Sequence, residues 1–168
     1  MSRLSVFQKY TEMKIRLFQE QDAEQIALLF HQTVREVNIR DYSLNQVKAW
    51  APDNIYFRNW FKTCSEKLTY VAESEGLVIG FGELELNGHI DCFYCHKNSQ
   101  RIGVGKKIYS AIQTKAQELH INRLYTEASI TAKPFFLNMG FKVVKEQNVQ
   151  CRGEIFMNYA MEKLLITV

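Results

Sequence analysis

Only two prolines interrupt the 168-residue chain, and no apolar run approaches the roughly 20 residues needed to cross a bilayer. A charged-then-apolar leader is also missing from the first residues, so the expectation is a cytoplasmic protein with no membrane partner. Charge of one sign is scarcely in surplus: 21 basic against 18 acidic side chains leave a net +3. Nucleic-acid binders concentrate a basic face, and that class is excluded. Repeats and low-complexity linkers are lacking as well. With 46% hydrophobic and 23% charged residues, one globular domain of ordinary size follows.

Cysteine is sparse, at Cys64, Cys92, Cys95 and Cys151. Cys92 and Cys95 form a C-x-x-C, but no second ligand pair stands at zinc spacing. The pair lies inside the apolar run Ile90–Cys95, where strand residues three apart point to opposite faces. Buried free thiols, and no metal, are expected.

What is present reads as alternating elements. Residues 1–12 show no periodicity and are set apart as an N-terminal extension to a domain over 13–168. Ile15 and Leu17 alternate as a strand, and Asp22 with Gln25 resembles a capping box for a helix carrying Ile26, Leu29, Phe30, Thr33 and Val34. Ser43 caps a second helix that Pro52 stops. Strands are predicted over Leu68–Glu73, Leu77–Leu86 and His89–Cys95, the last two joined by the hairpin signal Asn87-Gly88. A helix over Val104–Leu119, a strand over Leu124–Ala128, a short helix over Ala132–Asn138, and strands over Phe141–Glu146 and Ile155–Met161 complete an α/β chain.

Between the strand ending at Cys95 and the helix beginning at Val104 lies Gln100-Arg-Ile-Gly103-Val-Gly105-Lys106. Two glycines allow a ligand close to the backbone, and free N–H groups at a helix start, reinforced by the helix dipole, suit a pyrophosphate. A Walker loop is absent, and G-x-G-x-x-G fails at Ile108, which rejects nucleotide-phosphate enzymes of those types.

Gln100-x-x-Gly103-x-Gly105 resembles the [Q/R]-x-x-G-x-[G/A] loop of GNAT acetyltransferases, and Ala132 through Gly140-Phe141 is similar to that family's second signature. The segments Arg40–Ser43 and Ala49–Pro52 further resemble a bacterial subgroup of that family. The resemblance implies a mixed, mostly antiparallel central sheet of about seven strands flanked by about four helices, and acetyl-CoA as co-substrate. It implies that the amides of Gln100, Arg101, Ile102, Gly103, Val104, Gly105 and Lys106 bind the CoA pyrophosphate. The backbone of Phe93, Tyr94 and Cys95 pairs with pantetheine, and Ser129, Lys133 and Phe136 lie beside the cofactor. The acceptor, a primary amine on a small molecule or peptide, attacks the thioester directly; a homodimer is common for such folds.

The amine must lose a proton, and Glu83, Glu85 and Asp91 are the carboxylates near the splayed strands. Glu83 and Glu85 also fit the solvated face of a strand. The family's usual tyrosine acid is replaced by Phe136, leaving Tyr94, Tyr125 and Tyr159 as donors, Tyr94 first. The residues Arg35, Glu36, Arg40, Asp41 and Tyr42 fall where such folds wall the acceptor site. Phe136 also keeps open a non-catalytic acyl-CoA-binding sensor or regulatory module.

Overall fold

The computed structural model describes residues 12–166. All of the expected N-terminal extension except Glu12 lies outside them. In chain order the elements are β1 (Lys14–Leu17), α1 (Ala23–Glu36), α2 (Leu44–Trp50), α3 (Trp60–Ser65), β2 (Leu68–Ser74), β3 (Leu77–Leu84), β4 (Ile90–Cys95), α4 (Val104–Glu118), β5 (Arg123–Ser129), α5 (Lys133–Asn138), β6 (Lys142–Cys151) and β7 (Glu154–Leu164). No helix among the described residues is long and apolar enough to cross a membrane.

The expected seven strands are found, but they form two antiparallel sheets, ordered β1-β2-β3-β4 and β5-β7-β6. Among the described residues a single parallel bridge, His89 to Tyr125, connects them. There the Tyr125 N–H donates to the Gly88 carbonyl at 3.0 Å, and Thr126 Oγ1 donates to the Ile90 carbonyl at 2.8 Å. A side chain cannot be tolerated at Gly88, since a Cβ there would sit 2.0 Å from the Arg123 carbonyl oxygen. Past this joint β4 and β5 form no further ladder, so a cleft opens toward the far end of β4.

Several local expectations are corrected. Asp22 does not cap α1: its backbone is already helical, and its carboxylate is claimed by Arg16 at 2.7 Å and by the Gln19 N–H. Ser43 does cap α2, accepting from the Gln46 N–H while Gln46 returns the bond. Helix α3 was not expected, because six residues are too short for a periodic stripe; its signal was the cap Asn59, which accepts from the Lys62 N–H. The final hairpin is longer than predicted, since Arg152 and Gly153 both adopt positive φ and close a tight turn that lets the strands run to it. At Asn87-Gly88 only the glycine has positive φ, and the strand before it ends at Leu84.

The first sheet is covered on both faces. One face packs α4 through Val104, Ile108 and Ile112 into a core that continues under β5 and β7 through Leu124, Ala128 and Met161. The other packs α1, α2 and α3 over Val71, Phe81 and Cys92. Cys92 and Cys95 fall on these opposite faces, and all four cysteines are free.

Two tests follow from the joint. Gly88→Ala, meeting the Arg123 carbonyl, should lose more than about 2 kcal/mol, lowering Tm by about 4–8 °C; Gly76→Ala, with φ +77 but nothing within 4 Å, should cost about 1 kcal/mol from backbone strain alone. Equal costs would show that the joint is not close-packed. The second test concerns His89. Burial alone would lower its pKa, but Glu127 at 2.6 Å and Glu85 at 3.2 Å raise it above the ordinary 6.5. A raised pKa means stabilisation that is fully present below pH 6.5 and fades as pH climbs through the folded-state value. The Tm gap between wild type and His89→Gln should therefore be wider at pH 6 than at pH 9 in thermal melts, and a constant gap would refute the ion pairs.

Candidate active site

The loop after β4 is built by its own side chains. The His96 N–H returns to the Ile79 carbonyl, and Nδ1 of His96 accepts from the Asn98 N–H. Lys97 pairs with Glu36 at 2.7 Å, tying the loop to α1. Gln100 turns inward, donating to the Cys95 carbonyl at 2.7 Å. Arg101 and Gly103 then take positive φ, +59 and +90, and Gly103 is the N-cap of α4 with no side chain bonded to the helix start. The first-turn N–H groups of a 15-residue helix are thus left facing the cleft mouth, where a Cβ on Gly103 would meet nothing. Ile102 and Val104 point their side chains into the core, and Arg101 and Lys106 are exposed.

The remaining expected cofactor contacts divide. Phe93 and Cys95 direct their side chains to the α4 face. The Cys95 carbonyl already accepts twice, from Gln100 and from Thr33 Oγ1 at 3.1 Å. Burial pushes the Cys95 thiol up to about 12. Ser129 Oγ accepts from the Ala132 N–H, and Lys133 lies 4.0 Å over the Tyr159 ring. Phe136 is only 2% exposed, edge-on to Phe93, Phe135 and Phe141. Its ring packs among these neighbours in the core. The ring beside the loop is the neighbouring Phe135, 3.0 Å from where a Cβ on Gly105 would lie; the doublet Phe135-Phe136 was the available signal.

The carboxylates meet at a residue the sequence did not single out. Lys67 Nζ bonds Asp91, and lies 3.1 Å from Glu83 and 3.7 Å from Glu85. Burial works against its charge, yet Asp91 and Glu83 hold Lys67 well above the usual amine range. Glu83 is not on a solvated face: it is 0% exposed, because its side of β3 is covered by α3, while Leu84 turns to the α4 core on the other side. Opposite it the ladder slips, so that Asp91 and Cys92 of β4 together face one residue of β3. Burial pushes the Glu83 carboxyl up, and Lys67 pulls it back. The Cys64 thiol lies at 3.6 Å from Glu83. The side chain of Asp91, at 39% exposure, is the member of the cluster most open to solvent. Glu83, Asp91 and Cys92 place ligand-type atoms within 4.8 Å of one another. Lys67 already bonds an oxygen of each of the two carboxylates, and burial keeps the Cys92 thiol protonated, so the set does not suit a cation.

Tyr94 lies on the other side of β4 from the α4 core, stacked on Phe81 and edge-on to Phe30 and Trp50. Burial raises its hydroxyl well above the usual phenol range. Of the expected acceptor wall, Tyr42 is a strut: its hydroxyl donates to the Met157 carbonyl at 2.7 Å and accepts from the Ile130 N–H at 3.0 Å. Arg35 holds the Ala51 carbonyl and Asp53, and Asp41 accepts from Thr131.

The comparisons agree with this geometry. A family model described as an acetyltransferase (GNAT) domain matches residues 38–163. The uncharacterised N-acetyltransferase YafP of Escherichia coli K12 is 32% identical over 149 residues, covering 89% of this chain and 94% of that relative. The crystal structure of a GCN5-related N-acetyltransferase from Rhodopseudomonas palustris superposes with a TM-score of 0.86 at 28% identity, over 92% of this chain and 97% of that one. The PaiA N-acetyltransferase of Thermoplasma acidophilum, solved with coenzyme A, shares the fold at 16% identity, with a TM-score of 0.73 over 92% and 100% of the two chains. An uncapped helix start at the mouth of a cleft between two sheets, a match over most of the chain and a relative this similar together establish that the chain belongs to the GNAT family of acetyltransferases.

Proposed function

We propose that the protein is a cytoplasmic enzyme that transfers the acetyl group of acetyl-CoA to a primary amine of a small molecule or peptide by direct attack. The observation that carries the reading is the uncapped start of α4 behind Gly103, at the open end of the cleft between β4 and β5. The pyrophosphate sits on the amides of Gly103 to Lys106, where backbone donors and the helix dipole favour an anion without needing a cationic side chain. Pantetheine lies along β4 in the place a neighbouring strand would take. Relatives solved with coenzyme A or acetyl-CoA, from Thermoplasma acidophilum and Salmonella typhimurium, share this fold and support the cofactor assignment. Four free thiols suit a reducing compartment.

Asp91 takes the proton from the acceptor ammonium, because it combines a place on β4 with exposure. Glu83, fully buried, is a positioning residue that acts through Lys67. Attack by the free amine on the thioester carbonyl gives a tetrahedral oxyanion; its collapse expels the CoA thiolate. Tyr94, kept as an O–H by burial, gives its proton to that thiolate and regains one from the adduct nitrogen, which sheds its second proton on becoming the amide.

Gly103→Leu would place a side chain in the space in front of the amides. Acetyl-CoA affinity in calorimetric titration should fall at least about tenfold, while Tm drops by no more than about 4 °C; unchanged affinity would remove the loop from cofactor binding. Asp91→Asn should lower kcat/KM by about 100-fold at pH 7. The deficit should shrink as pH rises, because more amine arrives already deprotonated. A flat ratio of mutant to wild type across pH would take Asp91 out of the base role, and cofactor binding without CoA release from any amine would favour a non-catalytic acyl-CoA-binding module.

A further inference from the structure

The faces of α1, α2, β4 and β7 that turn away from the α4 core converge on an aromatic basin. Phe30 and Trp50 flank Tyr94 with centroids at 5.0 and 6.4 Å, and Phe156 closes the far side, 6.0 Å from Trp50. Phe57, from the segment before α3, adds a further ring 5.9 Å from Phe30. Trp50, Phe57 and Tyr94 are partly exposed at its surface, while Phe30 and Phe156 are buried beneath them.

Two guanidiniums flank it. The Arg58 guanidinium carbon lies 4.9 Å from the Trp60 centroid and 5.2 Å from that of Phe57. Arg152, on the β6–β7 turn, lies 4.8 Å from the same Phe57 ring. Neither makes an ion pair among the described residues. Arg58 touches the Cys92 thiol at 3.9 Å, and Arg152 donates to the Ala49 carbonyl at 2.9 Å and meets the Cys151 sulfur. Arg16, Arg35 and Arg123, by contrast, each hold a carboxylate. A guanidinium that stacks by its face keeps edge donors for an anion, and its fork matches a carboxylate. Two like charges against one ring repel each other, and an anion between them removes the repulsion.

Acidic groups lie beside the Arg58 margin of the basin. Cys92, which Arg58 touches, is adjacent to Asp91, and Asp91 belongs to a cluster of three carboxylates on one ammonium. On β7, Asn158 shares the face of Phe156, and its side-chain oxygen is buried without a partner among the described residues. It needs an N–H donor.

We infer that the acceptor is an amine that also carries a carboxylate, an amino acid or short peptide with an apolar or aromatic body. The carboxylate is held by Arg58 and Arg152, the body lies on the rings, and the amine faces Asp91. This rests on the acetyltransferase reading above and narrows its acceptor.

The test is CoA release measured with tryptophan and phenylalanine, their amides, tryptamine, and the dipeptides glycyl-tryptophan and glycyl-phenylalanine, alongside acetyl-CoA titration. The acids should exceed their amides in kcat/KM by at least about tenfold, as a charge-assisted bond predicts. Arg152→Gln should remove most of that preference, raising KM for the acids far more than for the amides. Arg58→Gln should act the same way, with Arg58→Lys partly restoring it. Should Arg58→Gln lose its fold, the exposed Arg152 variant decides alone. Turnover of amino acids but not dipeptides identifies a small-molecule acceptor, and the reverse a peptide. Equal use of acids, amides and tryptamine overturns the acceptor class and leaves the transferase standing. Tight acetyl-CoA binding with no release from any carboxylate-bearing amine also overturns the class. Absence of acetyl-CoA binding overturns the reading beneath it and the proposal together.

Discussion

One parallel bridge between His89 and Tyr125 determines how the rest of the molecule can be used. Two antiparallel sheets, each satisfied internally, meet at that point and nowhere else in a ladder among the described residues. The few hydrogen bonds there, each contributing about 1 kcal/mol, could not hold the sheets in place. The shared core does so: Ile79 and Leu84 of the first sheet pack with Leu124, Ala128 and Met161 of the second beneath α4. Away from the bridge, Tyr42 reaches from the α1–α2 connection to Ile130 and Met157. The separation of β4 from β5 beyond the bridge is therefore a consequence of packing.

The charges follow the same logic. Burying Glu83 would be costly alone, and a buried pair is weak grounds for stability even when its geometry is good. Lys67 serves three carboxylates at different depths, from Glu83 with no exposure to Asp91 near the surface. Through Glu85 the arrangement continues to His89 and then Glu127, which lies at the solvent edge. The joint between the sheets and the carboxylates around Lys67 are consequently one electrostatic unit.

Much of this was legible because it is local. The loop from Gln100 to Lys106, α4, the Ser43 cap and most of the strands announce themselves within a few residues by glycine placement, capping and period. What was not legible depends on tertiary partners. Glu83 reads as solvated by strict alternation, and only the short helix α3, which the sequence did not announce, covers that face. Asp22 has a cap's sequence but is taken by Arg16. Phe136 looks like a lost catalytic position until Phe93, Phe135 and Phe141 are seen around it. Arg58, Lys67 and Arg152 lie in segments without motif or period, and their meaning comes from residues far away in the chain.

Gln100 carries a consequence beyond its own bond. By filling the Cys95 carbonyl from inside, it fixes the loop in the shape that presents the α4 amides before any ligand arrives. On the proposed cofactor assignment, little conformational entropy would be left to be lost on binding, and the dwell time of the ligand would be set by how fast contacts break rather than by how often the loop assembles.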